Sequence, residues 1–291
     1  MRLLVLAFYS LFPNFQAFTQ SAFTELEVIS LSQLQIENGL RFDLSGIVAI
    51  NGKYYVNADK EQDNFIYEIG FQSNNWYLKS EISLNIEEPL DLEAIDYCNG
   101  NFYLANEKSG NIYSKSISGK TITLPIDFKE EKPWKWENAG WEGLANDCEN
   151  NILYLVKERQ PRKIFKVNLS DNKVVDIFNI PETESNDFAD AKFENDYLYL
   201  LERNGNFVSK INPDTHEVMQ KVSYRETCSN KEGKLFAPST FGMAESLLLT
   251  KEEIWIGVDN NGLEVSDYAS KKYGIKGNHP VIIKFKRPEG F

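Results

Sequence analysis

A fivefold internal repeat dominates this sequence. Each copy starts with a polar or acidic anchor residue in a short small-apolar segment, passes through a turn, and continues into an aromatic-rich segment that ends in a carboxylate. Successive anchors are separated by 48, 49, 48 and 55 residues. The anchors are Ser45, Glu93, Glu142, Asp190 and Glu245. A period in this range is typical of propellers and other arrays, in which each unit buries its apolar face against its neighbours.

Each repeat contains segments that predict short antiparallel strands. Dipeptides such as Asn51-Gly52 and Asn99-Gly100, which favour tight hairpin turns, separate the first two segments. Third and fourth segments follow in the first four repeats, and no segment has the periodicity of an amphipathic helix. Four-strand units at this spacing predict an all-β fold of the β-propeller type.

The fifth repeat lacks a fourth strand. Its third strand covers residues 281–285 and the sequence ends at Phe291, whereas an unassigned alternating segment covers residues 25–36. An open edge strand invites aggregation, so we expect the N-terminal strand to complete the last unit. The prediction is a five-bladed β-propeller closed by the N-terminal strand. Six blades are the alternative, if residues 225–242 contain two further strands.

Length and charge limit the classes of function. The chain has 291 residues and a formal net charge of -12 at pH 7, and repeat folds of this length form one domain. An acidic protein is poorly suited to nucleic acid and better suited to cations or basic partners. We therefore expect one monomeric domain over residues 20–291 that binds a small-molecule ligand or a protein partner, and no nucleic acid.

The N-terminal segment has the pattern of a secretion signal. Arg2 precedes an apolar run from Leu3 to Phe12 that is too short to span a bilayer. We expect residues 1–19 to be a signal peptide, which would make the protein periplasmic or secreted with no transmembrane segment in the mature chain. The alternative is an N-terminal core strand.

The cysteines do not form a disulfide framework, because their number, three, is odd. Cys98 and Cys148 follow their anchors by five and six residues and so occupy similar places in adjacent repeats. We expect buried free thiols at Cys98, Cys148 and Cys228. A bridge between Cys98 and Cys148 is the alternative in an oxidising compartment.

The carboxylates of the repeats should converge at one end of the channel. In a propeller blade the start of the innermost strand and the end of the second strand lie at the same face. The carboxylates that end the second strands are Asp59, Glu107, Glu158, Glu202 and Asp259. Clustered carboxylates resist ionisation unless donors or cations balance them.

Two interpretations of this ring remain open. In one, each carboxylate accepts hydrogen bonds from the next blade and serves as a strut. In the other, Glu93, Glu142, Asp190 and Glu245 surround a cation bound through oxygen, for which calcium (Ca2+) is the best candidate. Zinc and copper are disfavoured, because the two histidines, His216 and His279, lie outside the motifs.

An aromatic loop enters the third repeat at the same predicted face. It carries Trp134 and Trp136 and leads to Trp141. These rings could line the base of a ligand pocket, or they could pack beneath the loop. The predicted ligand-binding residues are Trp134, Trp136, Trp141, Asp59, Glu107 and Asp259.

Known catalytic motifs are missing from the sequence. It has no nucleophile elbow, Ser-His-Asp arrangement or glycine-rich phosphate loop. General-base chemistry would fall to carboxylates or to metal-bound water. The candidate catalytic residues are Glu142, Glu158, Arg159, Glu202 and Arg203. Two functions remain open: calcium-dependent binding of a ligand or partner, and calcium-dependent hydrolysis of a small phosphate ester.

The third repeat resembles a known family. Asn138-Ala139-Gly140-Trp141-Glu142-Gly143-Leu144-Ala145, followed by the segment from Leu153 to Arg159, is similar to the signature of the SdiA-regulated propellers and the related esterase-like phytase domain. The likeness extends over residues 43–260. It implies an exported β-propeller with a calcium site, and it departs from the family pattern at Glu93-Ala94 and Asp190-Ala191, which lack the usual glycine.

The signal-peptide prediction can be tested directly. Intact-mass measurement of the protein from its native host should show a mature N-terminus between about Gln20 and Phe23, since small residues precede this stretch. An intact Met1 in the cytosolic fraction would contradict the prediction.

Overall fold

The computed structural model of the chain describes residues 23–37, 41–59, 64–230, 233–237 and 243–291. The predicted signal peptide over residues 1–19 lies outside these ranges. Within them, every helix is too short or too polar to cross a membrane.

Strands dominate the described residues. Two N-terminal strands come first: β1 (Thr24–Glu25) and β2 (Val28–Gln35). The first unit has β3 (Asp43–Ile50), β4 (Lys53–Asp59), β5 (Phe65–Gln72) and β6 (Asn75–Ser83). The second has β7 (Leu92–Cys98), β8 (Asn101–Asn106), β9 (Ile112–Ser116) and β10 (Thr121–Thr123). A short 3-10 helix (Pro133–Lys135) leads to the third unit.

The second half of the chain continues the pattern. The third unit has β11 (Trp141–Asp147), β12 (Ile152–Lys157), β13 (Lys163–Asn168) and β14 (Lys173–Phe178). The fourth has β15 (Asp190–Glu194), β16 (Tyr197–Glu202), β17 (Phe207–Asn212) and β18 (Glu217–Ser223). Short elements follow: α1 (Arg225–Cys228), β19 (Ser229–Asn230), β20 (Gly233–Lys234) and β21 (Phe236–Ala237). The fifth unit has β22 (Ala244–Leu249), β23 (Glu253–Val258) and, after β24 (Glu264–Val265) and α2 (Asp267–Tyr273), β25 (Val281–Lys286).

The two ends of the chain meet in one sheet. β2 pairs antiparallel with β25, with Leu31 opposite Ile283, and so supplies the fourth strand of the fifth unit. Two residues of β2 also pair with β6 of the first unit, which joins the two units into an eight-stranded sheet. The predicted pairing of the N-terminal strand with the last strand is confirmed.

Residues 225–242 add no further unit within the part that the structure describes. β19 pairs with β20, and β21 pairs with β24. These two-residue strands form sheets of their own beside the fourth and fifth units.

The units pack side by side through their first strands. β3 contacts β7, β7 contacts β11, β11 contacts β15, β15 contacts β22, and β22 contacts β3 again. The apolar core lies between neighbouring units: Leu44 and Ile47 of the first unit, for example, belong to one buried cluster with Trp255 and Ile282 of the fifth. The arrangement is that of an all-β, propeller-like protein.

The predicted hairpin turns have the positive φ angles that tight two-residue turns require. Asn51 and Gly52 have φ values of 51° and 78°, and Asn99 and Gly100 have 48° and 88°. Two successive residues with positive φ match the right-handed twist of the paired strands, and asparagine and glycine tolerate this conformation best.

The prediction of free thiols is wrong for Cys98 and Cys148, and the alternative of a bridge between them is correct. Cys98 and Cys148 form a disulfide, with their Cα atoms 5.6 Å apart, and only Cys228 is a free thiol. Cys98 ends β7 and Cys148 follows β11, so equivalent places in adjacent repeats come within bonding reach. The bridge joins residues 50 apart in sequence, and a loop of that length corresponds to about 4 kcal/mol of stabilisation in the chain-entropy account.

Closure by β2 can be tested by truncation. Removal of residues through 36 should leave the edges of β25 and β6 unpaired and expose the buried contacts of Leu34, so we expect aggregation or a large fall in the melting temperature. Removal of residues through 25 takes away β1 but leaves β2 in place, and it serves as the control with a small expected effect. Equal stability of the two truncated chains, measured by thermal unfolding and size-exclusion chromatography, would contradict the closing role of β2.

Candidate functional site

An acidic cavity of about 310 Å³ lies where the first strands begin and the second strands end. Its wall contains nine carboxylates and two guanidinium groups. The carboxylates are those of Asp43, Asp59, Asp91, Glu93, Glu107, Glu142, Glu158, Glu245 and Asp259. The guanidinium groups belong to Arg159 and Arg203, and Leu44, Ser45, Asn138 and Asn261 complete the wall.

Strand pairing brings these side chains together. Asp43 at the start of β3 lies directly opposite Asp59 at the end of β4. The same register in the third unit sets Trp141 opposite Lys157, so that the adjacent Glu142 and Glu158 lie at one end of the hairpin. The predicted convergence of the anchors and the second-strand carboxylates is therefore observed for most of the repeats.

Four of the five anchors are β-bulge residues. The strand register shifts at Ser45, Glu93, Glu142 and Glu245, each of which is the extra residue at the start of its strand. A bulge changes the direction of a side chain relative to a regular strand. All four of these anchors line the cavity.

The fourth anchor is different. β15 and β16 pair without a register shift at Asp190. The fully buried Asp190 carboxylate accepts hydrogen bonds from the backbone N–H groups of Ala191 and Leu247, both at 2.7 Å, and from Lys192. Burial raises the pKa of Asp190 to about 7. The structure thus places this predicted metal ligand outside the cavity, as a strut between β15 and β22.

Lys192 extends this strut across the ring. Its ammonium group lies 3.3 Å from the Asp190 carboxylate and donates a 3.0 Å hydrogen bond to the carbonyl of Ile95 in β7. Elements from three different units, β7, β15 and β22, are thus tied together by one buried ion pair, Asp190 and Lys192.

Glu202, a candidate catalytic residue, is also structural. Its buried carboxylate accepts hydrogen bonds from the N–H groups of Glu184 and Ser185 and from the hydroxyl of Ser209. It does not line the acidic cavity. The fourth repeat therefore presents neither of its two carboxylates to the cavity and contributes Arg203 instead.

Arg203 is the main positive charge in the cavity wall. Its guanidinium nitrogens lie 2.8 Å from Glu142, 3.2 Å from Glu158 and 3.1 Å from Glu245. The side chain is only 13% exposed. Burial opposes its charge, but the carboxylates of Glu245 and Glu142 outweigh burial and raise the pKa of Arg203 well above its usual value. The group stays protonated at all physiological pH values.

Arg159 lies nearer the rim. It forms an ion pair with Glu158 and donates a 2.5 Å hydrogen bond to the carbonyl of Asn138. Glu107 accepts a 2.8 Å hydrogen bond from the N–H of Gly140. A Cβ atom at Gly140 would lie 2.6 Å from the Glu107 side chain, so this close approach requires glycine.

The carboxylate oxygens form two groups with spacing suited to a metal ion. Oxygens of Asp59, Asp91 and Glu93 lie within 4.8 Å of one another, and so do oxygens of Glu107, Glu142 and Glu158. Below we call these the first and the second carboxylate group. Among the described residues, Asp91 and Glu93 take part in no ion pair, and one buried oxygen of Asp91 has no hydrogen-bond partner. The second group is in contact with Arg203.

Burial and mutual repulsion perturb the titration of these acids. Burial, with the neighbouring charges of Glu142 and Asp91, raises the pKa of Glu93 well above its usual value. Burial, followed by the charge of Glu142, raises the pKa values of Glu107 and Glu158 to about 8. Burial also raises the pKa of Glu142, although Arg203 acts in the opposite direction.

The three tryptophans do not line the cavity. Trp141 is fully buried, donates a 3.0 Å hydrogen bond to the carbonyl of Gly110, and meets Trp136 edge to face at 4.9 Å. Trp134 is 58% exposed on the 3-10 helix. Packing beneath the loop therefore accounts for Trp136 and Trp141, and of the predicted ligand-binding residues the cavity contains Asp59, Glu107 and Asp259.

Five wall residues are neither anchors nor predicted site residues: Asp43, Leu44, Asp91, Asn138 and Asn261. The sequence does draw attention to the two aspartates, because each lies two residues before its anchor in the first and second repeats, but it gives them no role. The two asparagines lie in loops, and no periodicity identifies them.

A solved structure with a similar fold supports the propeller-like architecture. A Myxococcus xanthus glutaminyl cyclase matches with a TM-score of 0.59 at 10% identity, over 90% of this chain and 97% of that one. A streptogramin B lyase structure matches with a TM-score of 0.49 at 14% identity, over 89% and 87% of the two chains. At such low identity the cyclase likeness concerns the fold alone.

The sequence match is with a family. Residues 59–231, more than half of the chain, match the family described as SdiA-regulated. The matched segment runs from the end of the first hairpin through the fourth unit and contains Glu93, Glu107, Glu142, Glu158 and Arg203. This chain therefore belongs to the SdiA-regulated family.

Proposed function

We propose that this chain is an exported five-bladed propeller that binds a calcium ion in its acidic cavity and, at the same face, a small-molecule ligand or a protein partner. The observation that carries the proposal is the charge of the cavity, in which nine carboxylates outnumber the two guanidinium groups of the wall and Arg41, which pairs with Asp43. Buried carboxylates without compensating charge repel one another, and a bound cation removes that cost.

The first carboxylate group is the proposed ion site. Oxygens of Asp59, Asp91 and Glu93 lie within 4.8 Å of one another, and two ligands of one calcium ion at about 2.4 Å each can be separated by up to this distance. The buried Asp91 oxygen without a hydrogen-bond partner supports a ligand there. Without an ion, leaving this buried oxygen without a partner would cost about 1–3 kcal/mol of folding free energy.

The chemistry of the wall favours calcium over other metals. The charged groups of the wall that could bind a metal ion are carboxylates, which bind through oxygen. No histidine or cysteine belongs to the described wall. Zinc and copper prefer nitrogen and sulfur ligands. Calcium accepts six to eight oxygens in irregular geometry, and a volume of about 310 Å³ leaves room for water or for a ligand beside the ion.

Five blades and export complete the proposal. The five antiparallel units and the cycle of contacts between their first strands support five blades. The disulfide between Cys98 and Cys148 supports an oxidising compartment, where such bonds persist.

A calcium-dependent phosphoesterase is the second candidate, because Arg159 and Arg203 line the same cavity and could hold a phosphate. Arg203 is already engaged by three carboxylates, which leaves it little capacity for a phosphate. We therefore expect no calcium-dependent release of phosphate from a panel of small esters. Release that is lost in Glu93→Gln would establish the enzyme instead.

Calcium should stabilise the folded protein. A hundredfold excess over the dissociation constant corresponds to about 2.7 kcal/mol, or about 5 to 10 °C in melting temperature for a domain of this size. Differential scanning calorimetry with EDTA and with millimolar calcium should show this rise in wild type and a smaller rise in Glu93→Gln. Glu68→Gln is the matched control, because Glu68 pairs with Lys53 and Lys79 outside the cavity, and it should keep the full response. An unchanged wild-type melting temperature would contradict the calcium site.

Without calcium, stability should fall as the pH rises. The pKa values of Glu107 and Glu158 are about 8 in the folded chain, against 4.5 for the ordinary group. Between these pH values the folded chain binds more protons than the unfolded chain. The contribution of the two protonated glutamates to folding stability is therefore complete below about pH 4.5 and is lost as the pH approaches 8. Melting temperatures in EDTA should decrease from about pH 5 to about pH 8.5, less steeply in the double variant Glu107→Gln/Glu158→Gln. A steady increase over this range would overturn the prediction.

A further inference from the structure

The two carboxylate groups of the cavity have similar spacing but different neighbours. In each group, oxygens of three carboxylates lie within 4.8 Å of one another. By this measure both could hold a cation. In the second group, Glu107, Glu142 and Glu158, the guanidinium of Arg203 contacts Glu142 and Glu158, and Glu158 also pairs with Arg159 nearer the rim.

Arg203 contacts two of the three carboxylates of the second group, Glu142 and Glu158, and also Glu245. One of its terminal nitrogens lies 2.8 Å from Glu142 and 3.2 Å from Glu158, and the other lies 3.1 Å from Glu245. A single side chain thus contacts carboxylates from the third and fifth units. With 13% of its surface exposed, it is held inside the cavity wall and does not project into solvent.

The origin of Arg203 strengthens this interpretation. The fourth unit is the one whose two repeat carboxylates are turned into struts, Asp190 toward Leu247 and Glu202 toward Ser185. The same unit places a positive charge at the end of β16. The fourth unit thus contributes no carboxylate to the cavity but contributes the guanidinium that pairs with carboxylates of the third and fifth units.

We propose that Arg203 is a built-in counter-cation that fills the second carboxylate group and thereby limits the cavity to one divalent cation, bound at the first group. This inference rests on the proposed function, since it assumes that the first group binds calcium. Arg203 acts here as a specificity-determining residue: it fixes the number of ions that the cavity accepts and the side on which they bind.

The shape of the guanidinium explains how one side chain bridges carboxylates of two units. A guanidinium presents several donors in a planar fork and can bridge separate carboxylates, which a compact metal ion does only by drawing its ligands close together. Removal of Arg203 would leave Glu142, Glu158 and Glu245 without their shared partner. The spacing of Glu107, Glu142 and Glu158 would then be available to a second calcium ion.

The number of bound ions is the measurement that decides. Equilibrium dialysis of the full chain against calcium, with metal analysis of the protein fraction, should give one ion per chain for wild type and two for Arg203→Met, which has a side chain of similar length without charge. Arg287→Met is the matched control, because Arg287 is similarly buried and pairs with Glu194 away from the cavity. It should bind one ion.

The possible results separate this inference from the proposed function. One ion in both wild type and Arg203→Met overturns the role of Arg203 and leaves the calcium site standing. Two ions in wild type overturn it as well, because the second group would then be open. No ion in wild type but one in Arg203→Met refutes the proposed calcium site and supports the role of Arg203. No ion in either chain refutes both.

A second comparison keeps the inference testable if Arg203→Met does not fold. Glu93→Gln removes a carboxylate of the first group, and Glu142→Gln removes one that contacts Arg203. Calorimetric titration with calcium should show binding weakened by about tenfold or more in Glu93→Gln and clearly less in Glu142→Gln. Equal weakening, or a greater loss in Glu142→Gln, would place the ion on the side of Arg203 and overturn the inference.

Discussion

Closure of the ring is the constraint on which the rest of this structure depends. Each antiparallel unit buries its apolar face only against its neighbours, so an open ring would expose both a sheet edge and an apolar face. The chain meets this requirement by pairing β2 with β25, which joins its two ends in one sheet. The fully buried Leu34 belongs to the same cluster as Leu44 and Trp255, so closure also completes the core.

The same closure concentrates negative charge. A repeat that starts each first strand with an acid and ends each second strand with another brings these acids to one end of the ring. The protein balances the charge by three means. Backbone N–H groups bind Asp190 and Glu202, Arg203 bridges Glu142, Glu158 and Glu245, and burial raises the pKa values of Glu107 and Glu158 to about 8. In the proposed function, a cation bound at the first carboxylate group adds a fourth means.

The fourth unit shows how small backbone differences divide the roles of equivalent residues. The bulges at Glu93, Glu142 and Glu245 accompany side chains that line the cavity, whereas Asp190 lies in regular pairing and is buried as a strut. Lys192 then ties this unit to Ile95 across the ring. A buried pair such as Lys192 and Asp190 is costly to break, by about 3–5 kcal/mol when one partner is removed, so it helps to hold the units in register.

The sequence by itself determined the repeat, the antiparallel hairpins and the convergence of most of the acids. The physical reason is local: strand periodicity, turn residues such as Asn51-Gly52, and a constant spacing are properties of short segments. The family resemblance in the third repeat was likewise visible there and is confirmed. Only the tertiary structure decided that Asp190 and Glu202 are struts, that Cys98 and Cys148 are bonded, that Trp141 lies in the core, and that Arg203 lies among three carboxylates. Each of these outcomes depends on contacts between segments that are distant in sequence, and the repeat pattern does not carry this information.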